Sequence, residues 1–255
     1  KRQLLDREVL NYWMILLGIV SGSIIGGVLA RTIRMTAMPQ MVAVFNGLGG
    51  GASALISGAV FLSDESIGID VSITIMLGTL IGLVTFSGSI IAFGKLQELV
   101  TTRAVTFPLQ RTISVLMFIG ILGMMVYLVG IESQLSVYLG MCIVAFLLGI
   151  LLVIRIGGGD MPVVISLLNS YSGLAAAAAG FVLGNMMLIV GGALVGAAGL
   201  ILTQIMTKAM NRSLANVMFG AFGATVTVVS ADTDDNQRTY RSVTAEDAAI
   251  ALAYA

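Results

Sequence analysis

The chain has 255 residues, of which 58% are hydrophobic and 10% are charged, with a net charge of zero and a mean hydropathy of +1.03. Soluble domains carry about 25% charged residues, so this composition excludes an ordinary soluble domain and indicates a membrane protein. The chain contains one cysteine and no histidine, which excludes an internal disulfide and a histidine of its own as a proton carrier. We expect neither a metal site nor a nucleic-acid partner.

Long apolar runs recur along the chain. A helix needs about 20 apolar residues to cross a bilayer. The runs predict an all-α membrane protein, a bundle of about seven transmembrane helices at residues 12–30, 39–62, 71–94, 112–131, 135–154, 162–183 and 186–207.

The links between these spans alternate in charge. One side carries Arg31, Arg34, Lys95, Arg103, Arg111, Arg155, Lys208 and Arg212. The interhelical links of the other side carry only the acidic Asp64, Glu65, Asp70 and Glu132. Basic residues mark the cytoplasmic side of a membrane protein, so the C-terminal tail is predicted in the cytoplasm or an equivalent compartment. The N-terminal Lys1, Arg2 and Arg7 are the exception to this pattern.

The residues outside the spans suggest a piece of a longer protein. Residues 1–11 are interpreted as a truncated lead-in, and 12–207 as the transmembrane domain. Residues 208–243 are interpreted as a junction and linker, because "SADTDDNQRTYRS" has few large apolar groups and predicts a mobile connection over about 213–243. Residues 244–255 begin with a Thr-x-x-Asp helix start and are interpreted as the start of a further domain.

Small residues recur at four-residue spacing on three spans. Such spacing lets membrane helices approach closely. It is found at Gly18, Gly22 and Gly26, at Gly78 and Gly82, and at Gly192 and Gly196.

The second and sixth spans begin alike. In both, Met-Pro is followed by an asparagine seven residues after the proline, as in Pro39 with Asn46 and Pro162 with Asn169. This match suggests that spans 1–3 and spans 5–7 are two parallel repeats joined by the fourth span. Chance similarity between two helices rich in small residues is the alternative.

Four spans carry a stripe of small and polar residues on one face. The stripes consist of Asn46, Ser53 and Ser57; Gly78, Gly82, Thr85 and Ser89; Ser166, Asn169, Gly173 and Ala176; and Gly192, Gly196, Gly199 and Thr203. Together they predict a narrow wet channel between four helices. The alternative is that the hydroxyls bond back to their own helix and the asparagines only hold helices together.

The cores of the spans contain no ionisable residue of the kind that carries a proton near neutral pH. Asp160 lies closest, at the start of the sixth span, where it either interacts with the positive end of that helix or acts as a charge at the channel mouth. Nine residues separate it from Asn169, which is about 13 Å along a continuous helix at 1.5 Å per residue. A link between the two therefore requires water or Ser166, and Lys208 and Arg212 are the expected partners of the carboxylate.

Four stretches carry a family resemblance: "MTAMPQMVAVFNGLGGG", "TFSGSIIAFGKLQ", "GGGDMPVVISLLNSYSG" and "GALVGAAGLILTQIMTKAMNRS". They resemble the membrane domain of the proton-translocating NAD(P) transhydrogenases, in the beta subunit. The resemblance implies inward proton movement coupled to hydride transfer between NADH and NADP⁺ in soluble domains. It also implies that the full enzyme binds NADP(H) and NAD(H), whereas this fragment binds neither.

The resemblance also implies site residues and partners. It places Asn46, Ser89, Asp160 and Asn169 on the proton pathway, and Asp160, Lys208 and Arg212 at the junction with the NADP(H)-binding domain. It places Gly199 in a tight contact on the last span, where the spacing of Gly192 and Gly196 already predicts close helix packing. Many family members have a histidine where this chain has Asn46. Members with asparagine there have their histidine on a membrane helix of the alpha subunit, which also carries the NAD(H) domain. The resemblance implies that arrangement here, in a homodimeric enzyme of a bacterial inner or mitochondrial inner membrane.

Two other classes of protein fit the composition. A secondary transporter of a small solute, built on two three-helix repeats, would need a core charge or a broken helix; the spans show no core charge or mid-helix proline, although Gly49, Gly50 and Gly51 could bend the second. A purely structural membrane subunit is the third reading.

Overall fold

A computed structural model of the chain describes residues 12–63, 68–131 and 134–219. Within this part, seven helices are long and apolar enough to cross a membrane, which confirms the predicted all-α architecture. A short eighth helix follows them. The helices are α1 Tyr12–Thr32, α2 Met38–Ser63, α3 Ile69–Leu96, α4 Gln110–Gly130, α5 Leu135–Ile154, α6 Met161–Leu183, α7 Met186–Ala209 and α8 Leu214–Phe219.

Local sequence explains how α6 and α7 form a tight antiparallel pair. Pro162 lies in the first turn of α6, where its missing N–H leaves no hydrogen bond unmade. Gly184 ends the helix in the left-handed conformation, at a φ of 64°, which glycine adopts without steric cost. Asn185 then caps α7 by accepting hydrogen bonds from the backbone N–H groups of Met187 and Leu188. A link of only two residues therefore reverses the chain.

The core has two apolar clusters that share α3 and α5. One cluster joins α3, α4 and α5 through side chains such as Met76, Ile121 and Met141. The other joins α2, α3 and α6 with the end of α5. Within the bundle α6 packs against α2, α3 and α7, so it is the helix through which the second cluster connects to α7.

Several helix ends meet on one side of the bundle, which we call the basic face and define by Lys95, Arg155, Lys208 and Arg212. Hydrogen bonds tie these ends together. Gln40 at the start of α2 donates to the carbonyl of Leu96 at the end of α3, at 3.2 Å. The backbone N–H of Gly158, just before α6, donates to the carbonyl of Thr102 after α3, at 2.8 Å. The basic residues of these links thus lie on the same side, as their alternation predicted.

The glycine spacing of α1 does not correspond to close packing in this structure. Within the described residues, α1 buries none of its side chains. A Cβ atom built on Gly18, Gly22 or Gly26 would meet nothing within 4 Å. No other described helix covers this glycine face, so the expected tight contact stays a prediction for this helix.

The start of the expected mobile connection is helical. Residues 214–219 form α8, and Val217 is only 3% exposed because it packs into the second core cluster. An apolar side chain at this position holds α8 on the bundle. The rest of the predicted linker and the helix start at Thr244 lie outside the described residues. The proposed internal repeat is not confirmed and stays a prediction.

Candidate functional site

A close helix contact joins α6 and α7. A Cβ atom on Gly192 would overlap the backbone N of Ala177 and lie 2.7 Å from the carbonyl oxygen of Gly173. A Cβ atom on Gly199 would lie 2.7 Å from the backbone N of Ser170. Only glycine fits at these two positions without a shift of the backbone. Gly196 lies in the same seam, where an added Cβ would meet the more flexible side chain of Leu174 at 3.3 Å.

Two serines of α6 use this close approach to bond across the seam. Ser166 donates to the carbonyl of Gly199 at 3.2 Å, and Ser170 donates to the carbonyl of Gly196 at 2.7 Å. Both hydroxyls are buried. Ser166 was part of the predicted stripe, whereas Ser170 was not, because its role appears only once α7 is placed against it.

Asn46 reaches α6 from the opposite direction. Its side-chain Nδ2 donates to the backbone carbonyl of Ile165 at 3.1 Å, and the residue is 5% exposed. In an α-helix the carbonyl of Ile165 is also the acceptor for the backbone N–H of Asn169. The two asparagines singled out by the sequence therefore meet at one peptide group, although their side chains are not joined directly.

Asn169 lies between two helix contacts. It is three residues from Ser166, which bonds to α7, and three residues from Ser172, whose Cβ lies 3.9 Å from a Cβ built on Gly49 of α2. Its side chain is half-buried, and within the described part of the chain it has no hydrogen-bond partner. Asn169 thus lies between the α6–α7 contact at Ser166 and the approach of α2 at Ser172, with its side chain partly accessible.

Ser89 on α3 lies in a small cavity. The residue is 1% exposed, and its Oγ has no hydrogen-bond partner among the residues that the structure describes. A Cβ on Gly47, the neighbour of Asn46, would lie 3.0 Å from the Cβ of Ser89. The cavity between them measures about 110 Å³ and is otherwise walled by apolar side chains such as Phe86 and Phe93. Buried water needs about two to four polar partners, so Ser89 alone does not make this apolar space a water site.

Other members of the predicted stripes bond back to their own helices. Ser53 donates to the carbonyl of Gly49, Thr85 to that of Ile81 and Thr203 to that of Gly199, at 3.0, 2.6 and 2.7 Å. The α7 stripe is pressed against α6 instead of facing a lumen. The prediction of a channel enclosed by all four stripes is therefore wrong for α7, because glycine there allows backbone contact that leaves no space.

Asp160 forms an ion pair with Arg212 on the basic face. The Nη1 of Arg212 lies 2.7 Å from Oδ2 and 3.0 Å from Oδ1 of the carboxylate. The Asp160 side chain is 17% exposed and that of Arg212 is 53% exposed. Asp160 makes no side-chain capping bond to α6, and the other expected partner, Lys208, is exposed. The carboxylate therefore lies at the start of α6 and is paired with Arg212 after α7, so both readings of Asp160 stay predictions.

The sequence analysis missed two buried basic residues. Lys95 and Arg155 are each only 1% exposed. Lys95 donates to the carbonyls of Arg103, Ile154 and Ile156, at 3.1, 2.6 and 2.7 Å. Burial lowers the pKa of Arg155, and the charge of Arg111 lowers it further. Both residues follow apolar runs, where a basic residue normally lies in the interface, so charge alone gave no sign of their burial.

Among the described residues, no group of three or more His, Cys, Asp or Glu side chains could hold a metal ion.

Comparison with known proteins identifies similar chains. A family model described as NAD(P) transhydrogenase beta subunit matches residues 2–255. Two curated sequences named NAD(P) transhydrogenase subunit beta, one from Rhodospirillum rubrum and one from a specified strain of that species, are each 45% identical over 257 residues. The match covers 98% of this chain and 55% of each relative, so the chain spans about half the length of the curated relatives it matches. These similarities favour the family suggested by the sequence over a solute transporter.

Proposed function

Because this chain belongs to the NAD(P) transhydrogenase beta-subunit family, we propose that it is the proton-translocating membrane part of such an enzyme. Hydride passes between NADH and NADP⁺ in soluble domains, which bind NAD(H) and NADP(H). The membrane part passes a proton inward. Residues 12–207 form this part, 208–243 join it to the NADP(H)-binding domain, and 244–255 begin that domain.

The observation that carries the proposal is the position of α6. In the bundle core the Ile165 carbonyl of α6 accepts a hydrogen bond from the Asn46 side chain. At the start of α6, Asp160 forms an ion pair with Arg212. One helix therefore joins a buried polar contact to a charge on the basic face. The family resemblance suggests the roles of these residues. Asn46, Asn169 and Ser89 form the proton pathway, and Asp160, Lys208 and Arg212 form the junction with the NADP(H)-binding domain.

The proton carrier comes from outside these residues. Asparagine and serine orient water and donate hydrogen bonds, but they do not titrate near neutral pH. The chain has no histidine. The side chain of Asn169 is half-buried, and a membrane helix of the alpha subunit supplies the histidine beside the pathway. Water held beside Asn46 and Asn169 then relays the proton.

The assembly follows from the same assignment. The complete enzyme contains the alpha subunit with its NAD(H) domain, and two copies of the whole form a homodimer. The basic face lies on the cytoplasmic or matrix side of a bacterial inner or mitochondrial inner membrane, since eight basic residues lie in the links and helix ends on that side. The NADP(H)-binding domain docks against this face.

The test removes the charge of Asp160 in the complete enzyme. Asp160→Asn keeps the size of the side chain and deletes its charge, so the ion pair with Arg212 is lost. We expect sealed vesicles to move fewer protons per hydride transferred and to bind NADP(H) with altered affinity, while the bundle stays folded. Asp70→Asn is the matched control, since Asp70 is an exposed carboxylate in the first turn of α3, at the opposite end of the bundle. Unchanged pumping and unchanged NADP(H) affinity in Asp160→Asn would reduce Asp160 to a carboxylate at a helix start.

A further inference from the structure

All three donors of the buried Lys95 ammonium group have acceptors. An ammonium group has three N–H donors, and the three carbonyls of Arg103, Ile154 and Ile156 accept from it. Two of these carbonyls belong to the end of α5 and the turn after it, where helix C-termini carry partial negative charge. Burial of a cation is costly unless its donors are satisfied, so this arrangement is the reason that Lys95 can lie at 1% exposure.

The three acceptors connect two segments of the basic face. Arg103 belongs to the link after α3, and Ile156 belongs to the link between α5 and α6. Two further backbone bonds follow the same seam, from Val105 N–H to the Ile154 carbonyl at 3.2 Å and from Gly158 N–H to the Thr102 carbonyl at 2.8 Å. Lys95 thus fixes the position of the segment that runs into the turn Gly158–Asp160.

We propose that Lys95 is a positioning residue for Asp160. It holds the turn before α6 so that the carboxylate meets Arg212, which follows α7. The inference rests on the proposed function, in which Asp160 couples the membrane part to the NADP(H)-binding domain. It makes the coupling role of Asp160 depend on a buried cation, Lys95, that does not touch Asp160.

The test is a double-variant cycle in the complete alpha and beta enzyme, reconstituted in sealed vesicles. Lys95→Met, Asp160→Asn and the combination of both are compared by protons moved per hydride and by KM for NADP⁺ against kcat. We expect Lys95→Met to lower the proton ratio and to change the affinity for NADP⁺ by about fivefold or more, the lower end of typical coupling effects. The combined variant is expected to lose no more than Asp160→Asn alone, because both changes act through one carboxylate. Arg103→Met is the matched control, since it removes an exposed charge from the same link and leaves the carbonyl in place.

A second variant keeps the test decisive if Lys95→Met fails to fold. Gly158→Pro replaces the N–H that bonds to Thr102 with a ring carbon, and its Cβ meets Thr102 at 3.3 Å, so the two segments are pushed apart. The backbone around position 158 accepts proline, because Gly157 is extended, at φ −72° and ψ 156°, and Gly158 opens a 3₁₀ turn. Gly159→Ala is its control, because a Cβ there meets nothing within 4 Å. We expect Gly158→Pro to lower the proton ratio without adding to Asp160→Asn.

The outcomes separate the two claims. Losses that multiply in either combined variant, or full coupling in Lys95→Met, would overturn the positioning role while leaving Asp160 in the proposed function. Full coupling in Asp160→Asn would overturn the proposed function and this inference with it.

Discussion

Replacing Gly192 with alanine places a methyl group where α6 and α7 touch. The new Cβ would overlap the backbone N of Ala177, and a helix backbone cannot rotate away as a side chain can. We therefore expect the helices to separate locally, at an overpacking cost of about 1–3 kcal/mol. Separation also weakens the bonds from Ser166 and Ser170 to α7, each worth about 0.6 kcal/mol on average in a membrane protein.

The neighbouring glycine provides the control. A Cβ on Gly191 meets nothing within 4 Å, so Gly191→Ala removes only the flexibility of glycine and stabilises the helix by about 0.5–1 kcal/mol. The free energies of unfolding of the two variants are thus expected to differ by about 1.5–4 kcal/mol. Reversible unfolding of the complete beta subunit in detergent, followed by circular dichroism, measures the difference. Equal stability of Gly192→Ala and Gly191→Ala would refute the close contact between α6 and α7.

Two further predictions concern side-chain hydrogen bonds in the membrane. Asn46→Leu loses the hydrogen bond to the Ile165 carbonyl, so we expect the unfolding free energy to change by only about 0.6 kcal/mol. We expect both Asn46→Leu and Asn169→Ala to lower proton-coupled hydride transfer in the complete enzyme. Normal proton pumping in both variants would show that the asparagines only pack the helices. Tyr138→Phe loses the 2.8 Å bond to Thr79, so we expect a loss of about 0.6 kcal/mol that Thr79→Val does not increase further, and additive losses in a double-mutant cycle would contradict the bond.

Properties that depend on local composition could be predicted from the sequence. Each span has enough apolar residues to cross a bilayer, so all seven helices were identified, with ends that differ by a few residues from α1 to α7. The side of each link followed from its charge. The ion pair of Asp160 with Arg212 was among the expected contacts, since both residues were assigned to the same mouth of the bundle.

Properties that depend on a partner helix could not be predicted. The glycine spacing of α1 resembles that of α7, yet Gly22 is open and Gly192 is covered, because spacing describes one surface and not what lies against it. Ser53 and Ser170 are chemically identical, but one bonds back to its own helix and the other bonds to α7. Lys95 is buried because the links after α3 and α5 fold over it, and the hydrophobic periodicity of the sequence does not predict how links fold.

The group that encloses Lys95 consists entirely of main-chain oxygen atoms. Any amino acid at positions 103, 154 or 156 presents the same carbonyl, so natural selection acting on this contact leaves the side chains there free to vary. Statistical covariation between position 95 and these three positions is consequently expected to be weak, even though the contact is short and buried. Evolutionary coupling methods would overlook this part of the basic face, and selection would appear only as an intolerance of change at position 95 itself.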